Sequence, residues 1–133
     1  MTKKEFVDEI KQELNVDDLE AQRIARAVLL TLRSQISDIE IEDIDRSLPG
    51  DIEDLWHGGW LQRFMSRMQS FREMDIEDFI EQVREATDVR TRVEAARLTK
   101  IIFHVLKEAI PPREVEHIAQ DLPDELSQFW QAA

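Results

Sequence analysis

Glu114 and His117 stand three residues apart, the spacing that puts a carboxylate and an imidazole on neighbouring faces of a helix. Di-iron bundles use such pairs, but they need two of them plus a Glu from each of two other helices. The matching pair, 74 residues earlier, is Glu40 and Asp43, with a carboxylate where the imidazole should be. Direction also counts against a dimetal centre. At about 100° per residue, Ile41, Ile44 and Leu48 set the inward face of that helix, and Asp43 points roughly 130° away from it. His117 inherits the outward position, so neither a metal ligand nor a cofactor is assigned. His104 lies among Ile102, Phe103 and Val105 and reads as a helix residue, not a ligand.

Other chemistries find less support. Counted from Asp43, the acidic run to Asp54 places Asp45 and Ser47 correctly for a calcium loop and then fails. Leu48 occupies the place of the turn glycine, Gly50 that of an apolar residue, and Asp54 that of the bidentate Glu. The serines stand in helix caps or charged segments, and no G-x-S-x-G elbow is present. Three glycines cannot build a phosphate cradle, and without Cys there is no disulfide, thiolate site or Cys nucleophile. No catalytic residue is assigned, and no small molecule is identifiable.

The elements that would position these groups repeat. Leu19–Gly59 aligns without a gap on Val93–Ala133 at an offset of 74 residues. Glu20, Ala21 and Arg23 meet Glu94, Ala95 and Arg97; Glu40, Glu42 and Ile44 meet Glu114, Glu116 and Ile118. Leu48, Pro49 and Trp56 meet Leu122, Pro123 and Trp130. Upstream the offset is 73, with Phe6, Val7 and Ile10 meeting Phe79, Ile80 and Val83. This pattern predicts a tandem duplication.

Each copy reads as three helices and a short fourth. Thr2-x-x-Glu5 is a capping box, Asp75-x-x-Asp78 a weaker one, and Ser37-x-x-Glu40 another, where the second copy has Pro111-Pro112. The second helix, from Asp17-Asp18 or Thr91, is apolar on most faces and should lie centrally. In the Leu-Pro…Trp phrases, Pro49 and Pro123 end one helix and suit the first turn of the next, with Ser47 or Asp121 as its cap. Ile52, Leu55 and Trp56, or Leu126, Phe129 and Trp130, then form an apolar anchor.

The fold expected is therefore all-α: two pseudo-symmetric helical repeats in one domain over 1–133. Repeat 1 covers 2–59, an amphipathic connector 60–73, and repeat 2 74–133. Gly58-Gly59 suits a helix stop and hinge. The connector sets Trp60, Phe64, Met68 and Phe71 at helical spacing, and its Arg63, Arg67 and Arg72 outnumber Glu73. It would close the groove between the acidic units. Those four apolar residues are also the candidate partner-binding face, since Met and aromatic surfaces adapt to varied partners.

The formal charge of −12 and pI near 4.6 argue against nucleic-acid binding, because a phosphate backbone requires cations. No apolar run approaches a membrane span, no apolar signal core follows the first lysines, and cytoplasmic residence is expected.

The F-V/I-x-x-I/V opening, the long apolar second helix, L-P-x-x-[IL]-x-x-[LF]-W at 48–56 and 122–130, and Gly59-Trp60 resemble a bacterial family known as domain of unknown function 2267. The likeness spans essentially the whole chain and departs from the family pattern after Trp60. It implies a duplicated all-α fold and supplies no activity. The functional expectation is a non-enzymatic acidic helical protein acting by protein–protein interaction or self-association. The alternative is a metal- or small-ligand-binding bundle, which would require inward-facing carboxylates or histidines.

Overall fold

The computed structural model describes residues 1–57 and 73–133. These residues form helices and no strand: α1 (Lys3–Leu14), α2 (Asp18–Arg33), α3 (Asp38–Ser47), α4 (Glu53–His57), α5 (Ile76–Thr87), α6 (Arg92–Ala109), α7 (Pro112–Asp121) and α8 (Asp124–Ala132). The all-α class is as expected. Among the described residues no helix is long and apolar enough to cross a membrane.

Local chemistry sets the boundaries. The side chains of Thr2, Asp17, Ser37, Asp75 and Thr91 accept from the backbone N–H three residues on, satisfying a donor the helix itself leaves free. Thr2 and Glu5 make the full capping box. α1 and α5 end on Asn15 and Asp88 with φ of 56° and 58°, a left-handed conformation those side chains tolerate.

Two sequence expectations about caps need correction. Glu40 does not return a bond to the Ser37 N–H. Asp121, from the end of α7, does so instead: its Oδ2 accepts from Ser37 N at 3.1 Å and from Ser37 Oγ at 2.8 Å. Nor do Ser47 and Asp121 cap the helices that follow them. The Ser47 hydroxyl donates to the Asp43 carbonyl at 2.9 Å, and Pro123 stands at the N-cap of α8 with no side-chain cap bond. Asp121 has a more distant backbone donor to serve, and Glu40 is turned elsewhere. Asp121→Ala should therefore lower stability by about 1 kcal/mol, as loss of an N-terminal cap does, although Asp121 lies 84 residues from Ser37. Urea unfolding of the single variant checks this.

α2 packs on α1, α4, α5 and α6, while α6 packs on α1, α2, α5 and α8. These two helices are thus the central ones, as their apolar circumference predicts. Phe6, Ile10, Leu29, Leu32, Phe79, Ile102 and Phe103 meet in one continuous core. Both Leu-Pro…Trp corners are anchored as expected: Ile52, Leu55 and Trp56, and Leu126 and Trp130, are fully buried, with Phe129 half-buried. Two arginines reach from a central helix to the end of another. Arg23 Nη2 donates to the Thr87 carbonyl at 3.0 Å and Arg97 Nη2 to the Glu13 carbonyl at 2.9 Å. Each satisfies a carbonyl of a last helical turn, where cations are favoured. α3 lies against α7, and this seam positions the site described next.

Candidate functional site

Glu40 is the third residue of α3 and Glu114 the third residue of α7. Ser37, capped by Asp121, starts α3; Pro111-Pro112 starts α7 with φ already suited to a helix. Apolar Ile44 and Ile118 face the core, and the two glutamates face the seam, 4% and 3% exposed. Carboxylates this deep are normally paired or satisfied by donors. Here Glu40 Oε2 and Glu114 Oε2 are buried with no hydrogen-bond partner among the described residues.

Asp43 and His117 stand one turn further on, at the open edge of the seam, with side chains 29% and 47% exposed. His117 Nδ1 is 3.4 Å from Glu40 Oε1 and 3.9 Å from Glu114 Oε2. One ligating atom from each of Glu40, Asp43, Glu114 and His117 lies within 4.8 Å of all the others. Two guanidiniums flank the group: Arg46 pairs with Asp43, and Arg113 Nε lies 3.3 Å from Glu114 Oε1. A cleft of about 510 Å³, lined by Asp43, Ser47, Pro111 and His117 among others, opens onto the seam.

Burial pushes the Glu40 carboxyl up to about 8, and the adjoining Glu114 carboxyl, with repulsion from Asp43 and Asp121, adds to it. The seam therefore favours a proton, or another cation, on Glu40 near neutral pH.

The sequence expectation had Asp43 and His117 pointing away from the bundle. They do leave the core, but α3 meets a second surface, α7, and the two outward directions converge there. What was missed is the burial of Glu40 and Glu114. Their identity across the repeat offset was visible, but Glu42 and Glu116 match equally well and are exposed. Only the docking of α3 on α7 separates the two pairs. His104 is an exposed residue of α6, with Nε2 3.7 Å from Glu108 Oε1. Trp60, Phe64, Met68 and Phe71 lie outside the described residues.

The fold and the seam define a small helical protein with carboxylates buried between its helices. The chain belongs to the family described as "Uncharacterized conserved protein (DUF2267)", whose model matches residues 1–55 and 76–133. The residues between these two stretches include the connector, 60–73. No curated protein matches the chain.

Proposed function

We propose that this is a non-enzymatic binding protein, a duplicated helical module whose ligand site is the seam between α3 of the first copy and α7 of the second, and that the ligand is cationic. The observation that carries this reading is the pair of buried carboxylate oxygens on Glu40 and Glu114 that have no hydrogen-bond partner among the described residues. Burying charge without partners opposes folding. A feature that weakens the fold yet lines an open cleft has the character of a binding site.

The duplication is supported by the matched dimensions of the helices. α1 and α5 have 12 residues each, α2 and α6 have 16 and 18, and α3 and α7 have 10 each. The reciprocal Arg23–Thr87 and Arg97–Glu13 bonds add to this. So do Leu19 and Val93, the second residues of α2 and α6, which are 79% and 80% exposed. The relation of the halves is then that of a symmetric dimer joined into one chain. Glu40 with Glu114 and Asp43 with His117 are equivalent pairs meeting across its axis. Partner binding through the Trp60, Phe64, Met68 and Phe71 face is compatible with this role.

The test is the double variant Glu40→Gln/Glu114→Gln, which keeps the shape and removes the charge. In chelator at pH 8.5 its urea unfolding free energy should exceed that of the wild type by on the order of 1–4 kcal/mol, as replacement of buried charge often does. A double variant less stable than the wild type would show the carboxylates to be structural.

A further inference from the structure

The seam's donor set identifies the cation. We propose that Glu40, Asp43, Glu114 and His117 bind one divalent first-row transition ion, of the Mn²⁺, Fe²⁺ or Zn²⁺ class; this rests on the seam being a cation site. The four donors come as two from α3 and two from α7, each pair three residues apart on its helix. Around a four-coordinate ion at about 2.1 Å, neighbouring donors stand about 3.4 Å apart. His117 Nδ1 and Glu40 Oε1 are already at 3.4 Å, and no pair in the set exceeds 4.8 Å. Rotamer shifts of a fraction of an ångström to about an ångström would close the set without moving a helix.

The second observation is independent of the clustering. Glu40 Oε2 and Glu114 Oε2 have no hydrogen-bond partner among the described residues, and both side chains are more than nine-tenths buried in the seam, where a cation would satisfy them. Donor chemistry then selects the ion. Three carboxylates would admit Mg²⁺ or Ca²⁺, which take oxygen ligands. The imidazole shifts preference toward Mn²⁺, Fe²⁺ and Zn²⁺, and the absence of Cys removes the thiolate sites of soft ions. Charge is consistent as well: an ion of charge +2 neutralises the buried glutamate pair. Arg46 and Arg113 meanwhile hold Asp43 and Glu114 from the outside, and each must loosen as its carboxylate turns inward. The half-exposed Asp43 and His117 border the cleft, which gives the ion a path in.

The experiment is isothermal titration of untagged, chelator-stripped full chain with MnCl₂ and with ZnCl₂, alongside thermal melts. The expected result is one ion per chain, a rise in Tm with the ion, and weaker binding of MgCl₂ and CaCl₂. His117→Ala and Asp43→Asn alter side chains at the open edge, so both should fold. Each should weaken binding at least about tenfold, the scale on which even supporting residues of metal sites act. Absence of saturable binding up to millimolar Mn²⁺ and Zn²⁺, or binding unchanged in both single variants, overturns the metal assignment. The Gln double variant separates the two failures. If it is stabilised while no metal binds, the seam remains a cation site and only the ion is wrong; if it is destabilised, the seam reading fails too.

Discussion

Replacing Trp130 by Ala should lower the unfolding free energy by about 3–5 kcal/mol, the usual result of emptying a large aromatic site in a core. Trp130 is fully buried and tethered in three ways. Its indole Nε1 donates to the Val115 carbonyl at 3.1 Å, its ring meets Phe103 edge-on with centroids 5.0 Å apart, and Lys107 Nζ lies 5.2 Å over its face. The indole therefore fastens α8 to both α7 and α6. Loss of the donor leaves the Val115 carbonyl to find another partner, which adds to the cavity term. For a domain with a typical net stability of about 5–15 kcal/mol, this single change removes a large share. Urea denaturation of Trp130→Ala and Trp130→Phe checks it. Phe retains the edge-on contact but not the hydrogen bond and should fall between Ala and the wild type. A loss below about 1 kcal/mol for Ala would mean that the corner is not an anchor.

Stability should fall as pH rises from mildly acidic to alkaline in chelator-treated protein. Glu40 is raised from its ordinary 4.5 to about 8 in the folded state, first by burial and then by Glu114. The folded protein therefore holds the proton more tightly than the unfolded chain. The advantage is complete below about 4.5 and is lost as pH climbs through about 8. Over that window the change is on the order of a few kcal/mol. Glu81 acts in the opposite direction. Its carboxylate is held low by bonds from Arg84 and Arg92, so its contribution disappears only in strong acid. Wild-type Tm should thus be higher at pH 6 than at pH 9, and Glu40→Gln should flatten the alkaline limb while leaving the acid limb in place. A Tm that is equal at pH 6 and pH 9 would place the proton elsewhere.

Helix by helix, the sequence was informative where one residue's fate depends on near neighbours. Thr2, Asp17, Ser37, Asp75 and Thr91 mark helix starts because an N-terminal cap is a contact over three residues. The apolar circumference of α2 and α6 announced their central place, and the Leu-Pro…Trp phrases announced the buried corners. The seam was not legible in the same way. Whether Glu40 is buried depends on a helix that begins 72 residues further along the chain, and no periodicity within α3 records that contact. Asp121 shows the same thing from the other side: read locally it is a cap for α8, yet its carboxylate is drawn to Ser37 across the seam. Side chains at a junction between helices distant in sequence obey the same hydrogen-bonding and charge rules. Their partners become known only when the helices are docked.

The most direct measurement is a pH titration, by carbon-detected NMR, of the Glu side-chain carboxyls in chelator-treated protein, with Glu40→Gln and Glu114→Gln used for assignment. The expected result is a carboxyl of the Glu40–Glu114 pair that keeps its proton until about pH 8 in the metal-free protein and whose signal shifts when ZnCl₂ replaces the chelator. If both carboxyls titrate near the ordinary 4.5 and neither signal responds to the ions, the seam is an ordinary solvated contact and the account is wrong.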